Sequence, residues 1–420
     1  MVKKSVLSNG VRILTESMPT MVSTTIGIWV ENGSRYETPA ENGTSHFIEH
    51  LLFKGTTKRT AAQIAEEVDA VGGVLNAFTG KEYTCYYAKV LGQDLDMTTD
   101  LLADIFLESV FNAEDLERER QVVLQEISQA EDTPDDFIHD LFTLNFWKGH
   151  PLAAPIFGTV ETVNGIDRDD LRTFMKARYR SERVFISAAG QVDHEKLVER
   201  CERLFGSIPG NGQPDPVVAP KPRHYLINQQ KKLEQAHLCI GSPGIGQSHP
   251  LRYAGYVLNT ALGGGMSSRL FQEVRENRGH VYTIYSFVSS YIDSGYFAIY
   301  AGTNPEWVQE VLEVTVGELK KLAHDGLTSP ELARAKSQLK GNMLLGMEST
   351  DSRMNRLARN EIYYRRDVPI QELAQAIDNV NNDQIVELAS SWFKADQMAL
   401  VTLGDLEGRE VKSEVFSPLS

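Results

Sequence analysis

Two hydrophobic periods alternate along this 420-residue chain, and they switch in a similar order twice. In the first half, β-rich stretches cover residues 10–16 and 23–30, and helical patterns follow over 43–53 and 61–71. Strand patterns return near 74–79 and 83–90, ahead of long helical patterns over 93–108 and 114–130. The second half repeats this coarsely, with strands near 224–227 and 236–241, helices near 251–262 and 268–276, strands near 281–289 and 295–302, and helices near 305–324 and 330–345. Paired strands followed by runs of helices, rather than strict alternation, predict an α+β fold. The matching order predicts two structurally similar domains, each a mainly antiparallel sheet packed with helices. A Pro/Gly-rich stretch marks the division: a first domain over 1–210, a linker over 211–222 and a second domain over 223–420.

Composition narrows the class. Hydrophobic residues make up 41% of the chain and charged residues 24%, the balance of an ordinary globular protein. The net charge of −15 argues against nucleic acid as a main partner. No run approaches the about 18 apolar residues of a membrane span. The first residues, Met1 to Gly10, reach a turn too soon for a signal peptide. Cys85, Cys201 and Cys239 are far apart and odd in number, which predicts buried free thiols in a reducing compartment. A cytoplasmic protein is the expectation.

The chemistry concentrates in Thr44-Ser45-His46-Phe47-Ile48-Glu49-His50-Leu51-Leu52-Phe53, which reads H-x-x-E-H. On a helix, positions four apart share a face, so His46 and His50 can reach one metal ion. Glu49 borders that face and can touch a water there without being a ligand. This is the inverse of the H-E-x-x-H zinc motif. A catalytic zinc keeps three protein ligands and one open position, and a neighbouring carboxylate takes the water's proton and hands it to the leaving amine. Two histidines at this spacing also occur on solvated helix faces. The intervening glutamate and the apolar helix, opened by Asn42-Gly43, favour the metal.

A third ligand is needed. Glu119 and Glu126 lie seven apart on one helical face, beside Val122 and Val123, whereas Glu117 and Glu131 read as solvated charges. Spacing does not choose between Glu119 and Glu126, and either can serve as a surface partner of Arg118 or Arg120.

His46–His50, then 75 residues, then Glu126 resembles the zinc pattern of the pitrilysin and insulinase family of metallopeptidases. The text from His46 to Thr56, the segment Asn76-Ala77-Phe78-Thr79, Glu117-Arg118-Glu119-Arg120, His150-Pro151-Leu152 and Gly158-Thr159 are similar to the subgroup of mitochondrial processing peptidases and their bacterial relatives. The resemblance implies one zinc per chain on His46, His50 and Glu126, Glu49 as general base, and Glu119 as the carboxylate orienting a ligating histidine. It implies that Asn76, Ala77 and Phe78 lie on an edge strand that binds substrate. It also implies that Arg275 and Tyr282 bind substrate backbone and support the developing oxyanion. Without the resemblance, Arg275 reads as a helix-surface residue and Tyr282 as the start of a packed strand.

The second half resembles the family's degenerate copy. Aligning Gly264 with Gly55 sets Gly255, Leu258 and Asn259 where His46, Glu49 and His50 fall, and aligning Leu332 with Leu116 sets Asn342 opposite Glu126. The glycines at 263–265 lack a phosphate-loop pattern and differ from the longer loop of the mitochondrial non-catalytic subunit. The leading expectation is a bacterial zinc endopeptidase acting on peptides or extended segments, with a mature mitochondrial matrix protein less favoured. A non-catalytic partner subunit is the alternative, and a peptide-binding holdase a third reading. The resemblance implies a dimer, most simply a homodimer with a heterodimer as the variant, in which one chain's zinc meets Arg275 and Tyr282 of another.

Overall fold

A computed structural model describes residues 2–210 and 217–420. Part of the expected linker, 211–216, lies outside the described residues, and 217–222 carries no regular structure. The first half runs β1 (Val2–Val6), β2 (Arg12–Ser17), β3 (Ser23–Val30), α1 (Thr44–Leu52), α2 (Ala61–Ala70), β4 (Val74–Thr79), β5 (Thr84–Leu91), α3 (Leu95–Glu108), α4 (Ala113–Asp132), α5 (Pro134–Phe146), α6 (Val160–Gly165), α7 (Arg168–Arg178), β6 (Val184–Gly190) and α8 (His194–Phe205). The second runs β7 (Tyr225–Gln229), β8 (Ala236–Pro243), α9 (Arg252–Gly263), a π-helical turn (Phe271–Glu276), β9 (Val281–Ser290), β10 (Gly295–Thr303), α10 (Val308–Asp325), α11 (Ser329–Gly346), α12 (Thr350–Tyr364), α13 (Ile370–Asp378), α14 (Asn382–Trp392) and β11 (Ala399–Leu403).

The α+β expectation holds, and the repeat is visible in the sheets. The first sheet has the order β1-β2-β6-β3-β5-β4, and the second has β7-β11-β8-β10-β9. Without β1, the two match strand for strand. The β2/β6 and β7/β11 pairs are parallel, and every other pair is antiparallel. Strands β6 and β11 are buried along their whole length and are mostly apolar on both faces, with only Ser187 and Thr402 polar.

The compact units are not contiguous halves of the sequence. One comprises 1–129, 154–216 and 346–367, and the other 130–153, 217–345 and 368–420. Each unit therefore holds one helix from the opposite half. Helix α12 packs on β2, β3 and β6 of the first sheet, burying Met354, Leu357 and Ala358 against Trp29 and Phe185. Helix α5 packs on β8 and β11 of the second, burying Ile138, Phe142 and Phe146 against Tyr296 and Val401. The two helices hold equivalent places in the repeat, each following a pair of long helices.

Within the first unit, the turn joining β4 to β5 is tied down by a buried ion pair. Arg35 and Glu82 meet at 2.7 Å with side chains 3% exposed, and Tyr363 of α12 donates to the other Glu82 oxygen at 2.9 Å. Removing one partner of such a pair strands the other charge and costs about 3–5 kcal/mol. Glu82→Ala is therefore expected to lower the urea midpoint of unfolding sharply. Glu195→Ala, which breaks an exposed pair with Lys3, leaves the midpoint unchanged.

Candidate metal centre

Helix α1 begins at Gly43, whose φ of 96° disfavours a side chain. A Cβ there would come within 2.8 Å of the Phe157 carbonyl oxygen, and one on Gly158 within 2.6 Å of the Asn42 carbonyl. This glycine crossing lets the 157–158 segment lie against the helix start and sets the Phe157 ring 4.8 Å from the His46 ring. The first turn is capped from outside the helix. Buried Glu37 accepts from the backbone N–H of Ser45 at 2.7 Å and of Gly43 at 2.9 Å, satisfying donors that the start of a helix leaves unpaired. Phe47, Ile48, Leu51 and Leu52 bury one side of α1 in the core, which leaves His46, Glu49 and His50 to the other.

Helix α4 supplies the carboxylates. Glu126 Oε2 lies 3.5 Å from His46 Nε2 and 3.3 Å from His50 Nε2. These side chains are the one group of three or more candidate ligands among the described residues whose donor atoms all lie within 4.8 Å of one another. Glu126 Oε2 is buried and has no hydrogen-bond partner among the described residues. Two imidazole nitrogens and one carboxylate oxygen thus converge on one point. Tetrahedral zinc with bonds of about 2.0–2.1 Å separates its ligands by about 3.3–3.4 Å, close to both separations, so the residues fit such an ion. The choice between Glu119 and Glu126, open in the sequence, falls to Glu126 on this geometry.

Glu119 stands one step back. Its Oε2 lies 3.2 Å from His50 Nδ1 and its Oε1 lies 2.8 Å from Lys54 Nζ. A carboxylate on the far nitrogen fixes the ring and leaves Nε2 facing Glu126. Arg118 and Arg120 pair with Asp115 and Glu117. Glu49, buried for most of its surface, accepts from the Thr79 hydroxyl at 2.5 Å. Lys54, Phe157 and Glu37 have no role that the sequence alone assigns. Lys54 is legible only as part of the motif text, and the other two act through contacts that spacing does not encode.

Burial, aided by neighbouring His50, pushes the His46 imidazole down to about 4. Burial also pulls on His50, but the Glu126 and Glu119 carboxylates outweigh it and raise that imidazole above the ordinary histidine value. The same contact with His50 holds Glu126 below the usual carboxylate range, against its burial. Glu49 moves the other way: burial raises it, and the Thr79 hydrogen bond opposes the rise.

Residues 12–160 match the model described as insulinase (peptidase family M16), and residues 165–339 match the peptidase M16 inactive domain. The chain is 43% identical to an uncharacterized zinc protease of Bacillus subtilis, YmxG, over 96% of this chain and 98% of that one. It is 42% identical to an uncharacterized zinc protease of Streptomyces coelicolor, SCO5738, over 100% of this chain and 90% of that one. The chain belongs to the M16, or pitrilysin/insulinase, family. Its fold matches the crystal structure of a peptidase M16 inactive domain from Pseudomonas fluorescens with a TM-score of 0.90 at 20% identity, over 96% of this chain and 98% of that one.

The M16 inactive-domain match covers Gly255, Leu258 and Asn259, the positions that the repeat sets against His46, Glu49 and His50, and ends before Asn342. Gly255 packs beside Leu388 and Trp392, and Asn259 accepts from Ser286 at 2.8 Å. In that unit, Arg275 lies in the last turn of the π-helical segment, with its guanidinium 5.5 Å from the centre of the Tyr282 ring and 4.6 Å from that of Phe271. Tyr282 is 77% exposed at the start of β9. Asn76, Ala77 and Phe78 lie on β4, an edge of the first sheet, with Phe78 turned onto Trp29 and Ala77 packed against the α1 side. All three cysteines are free and buried. No helix among the described residues is long and apolar enough to cross a membrane.

A divalent ion must displace the proton that His50 retains. Because that imidazole titrates above 6.5, ion affinity is lost as pH falls through the raised value and levels off above it. Competition titration against a chromophoric chelator is expected to give a Kd that weakens by about tenfold per pH unit below that point. His50→Ala loses binding at every pH.

Proposed function

We propose that this chain is a zinc-dependent endopeptidase that cleaves peptides or extended segments by attack of a metal-activated water. The observation that carries the reading is the convergence of His46, His50 and Glu126 on one point, with Glu49 on the same helix as the histidines. The zinc proteases named among its relatives support it. One zinc ion held by the three side chains would polarise a peptide carbonyl and make a neighbouring water acidic near neutral pH. Glu119 keeps the His50 ring in place, and Lys54 balances the charge of Glu119. Glu49 has one oxygen held by Thr79. Its other oxygen takes the proton of the attacking water and returns it to the leaving amine. The raised position of Glu49 suits that return. Substrate joins the edge strand β4 through main-chain hydrogen bonds, which selects extended chains and tolerates varied side chains.

Purified protein is expected to carry about one zinc per chain and to cleave unfolded peptides, with chelator abolishing the activity. Glu49→Gln keeps the metal and loses about a hundredfold or more in kcat, the range of a removed general base. Full turnover in Glu49→Gln excludes it as the base, and zinc retained in His50→Ala excludes that ligand.

The same proposal extends to assembly. Arg275 and Tyr282 belong to a separate compact unit from the ligands, and we assign them to the metal centre of a second copy in a two-fold dimer. Mixing Glu49→Gln chains with Tyr282→Phe chains then gives heterodimers with one intact site and activity near about half of wild type. A verified heterodimer without recovery overturns the shared site.

A further inference from the structure

Thr79 is the last residue of β4, the strand assigned to substrate, and it touches the residue assigned as base. Its hydroxyl donates to Glu49 Oε2 at 2.5 Å, the short range of a hydrogen bond to a carboxylate. Alternation along β4 turns Leu75, Ala77 and Thr79 to one face. Leu75 and Ala77 pack against the first core, to which α1 also contributes, while Phe78 on the opposite face packs with Trp29, Tyr83 and Tyr87. The strand is thereby fixed on both faces just before the hydroxyl.

The backbone is held on the other side as well. Thr79 pairs with Thr84 of β5, and Gly80 opens a turn closed by its N–H to the Tyr83 carbonyl at 2.8 Å. That turn is clamped by backbone bonds from Ser34 and Arg35 to the carbonyls of Gly80 and Lys81, and by the Arg35–Glu82 ion pair. Gly33 lies so close that a Cβ on it would come within 2.3 Å of the Gly80 carbonyl oxygen. A β-branched side chain on so fixed a backbone has few rotamers. The hydroxyl is therefore an anchored donor, the kind of support that holds a reacting group within a fraction of an ångström.

Holding Oε2 restricts rotation of the Glu49 carboxylate and so fixes where its second oxygen stands. We infer that Thr79 is a positioning residue for the reaction: it orients the Glu49 carboxylate and ties that orientation to the end of the substrate strand. This rests on the peptidase reading above. Satisfying a buried carboxylate is the purely structural alternative, and the two differ in what a conservative variant does. Thr79→Val keeps the shape and loses the donor, whereas Thr79→Ser keeps the donor.

The experiment pairs kinetics with crystal structures of zinc-loaded protein. Thr79→Val is expected to keep its metal and its KM while kcat falls about ten- to a hundredfold, the cost of a misplaced reacting group. Its Glu49 side chain leaves the orientation seen here, and Thr79→Ser restores both. Equal losses in the valine and serine variants, or an unmoved Glu49 carboxylate in Thr79→Val, overturn the inference, the second even if no substrate is cleaved. Wild-type kcat in Thr79→Val overturns it alone when Glu49→Gln is inactive in the same assay. If Glu49→Gln retains wild-type cleavage, the peptidase assignment of Glu49 fails instead, and the structures still decide whether Thr79 orients it.

Discussion

Glu126 Oε2 is buried between two imidazole nitrogens, 3.3 and 3.5 Å away, with no hydrogen bond of its own among the described residues. A carboxylate oxygen taken out of water needs a positive partner, and its loss costs several kcal/mol, about the net stability of many domains. Either the raised His50 proton or a divalent ion can supply that charge. The surrounding structure is arranged to keep the three atoms at this separation. Glu37 and the crossing of Gly43 with Gly158 fix where α1 begins, the core side chains fix its rotation, and Glu119 fixes the His50 ring. Helix α4 must then pass at the right height to deliver two carboxylates two turns apart.

Gene duplication explains the frame on which this is built. Two sheets share strand order and strand direction, yet one copy carries the converging donors and the other carries Gly255 and Asn259 in the equivalent helix. The second unit carries Arg275 and Tyr282, the residues to which the peptidase reading gives work. The exchanged helices α5 and α12 each cover the sheet built from the opposite half of the sequence. Neither half of the sequence therefore covers its own sheet without the other.

Much of this is legible in the amino-acid sequence. Short-range signals carry furthest: the H-x-x-E-H spacing marks one face of α1, and the limits of β4 at Val74 and Thr79 follow from its pattern and the glycines beside it. Strands β6 and β11 do not stand out by period, because a fully buried strand is apolar on both faces and does not alternate. The exchange of α5 and α12 is hidden for a different reason. A helix's apolar stripe says that it packs, not on which sheet. Choosing Glu126 over Glu119 needs either a family resemblance or a distance, since both share one helical face and differ only in height along it.

Binding of one ion at His46, His50 and Glu126 is read out by anomalous diffraction at the zinc edge from crystals of the Glu49→Gln protein. One strong peak per chain is expected, at about 2.0–2.2 Å from both Nε2 atoms and a Glu126 oxygen. A peak bound elsewhere, or these three side chains closed on one another with zinc in excess, would contradict it.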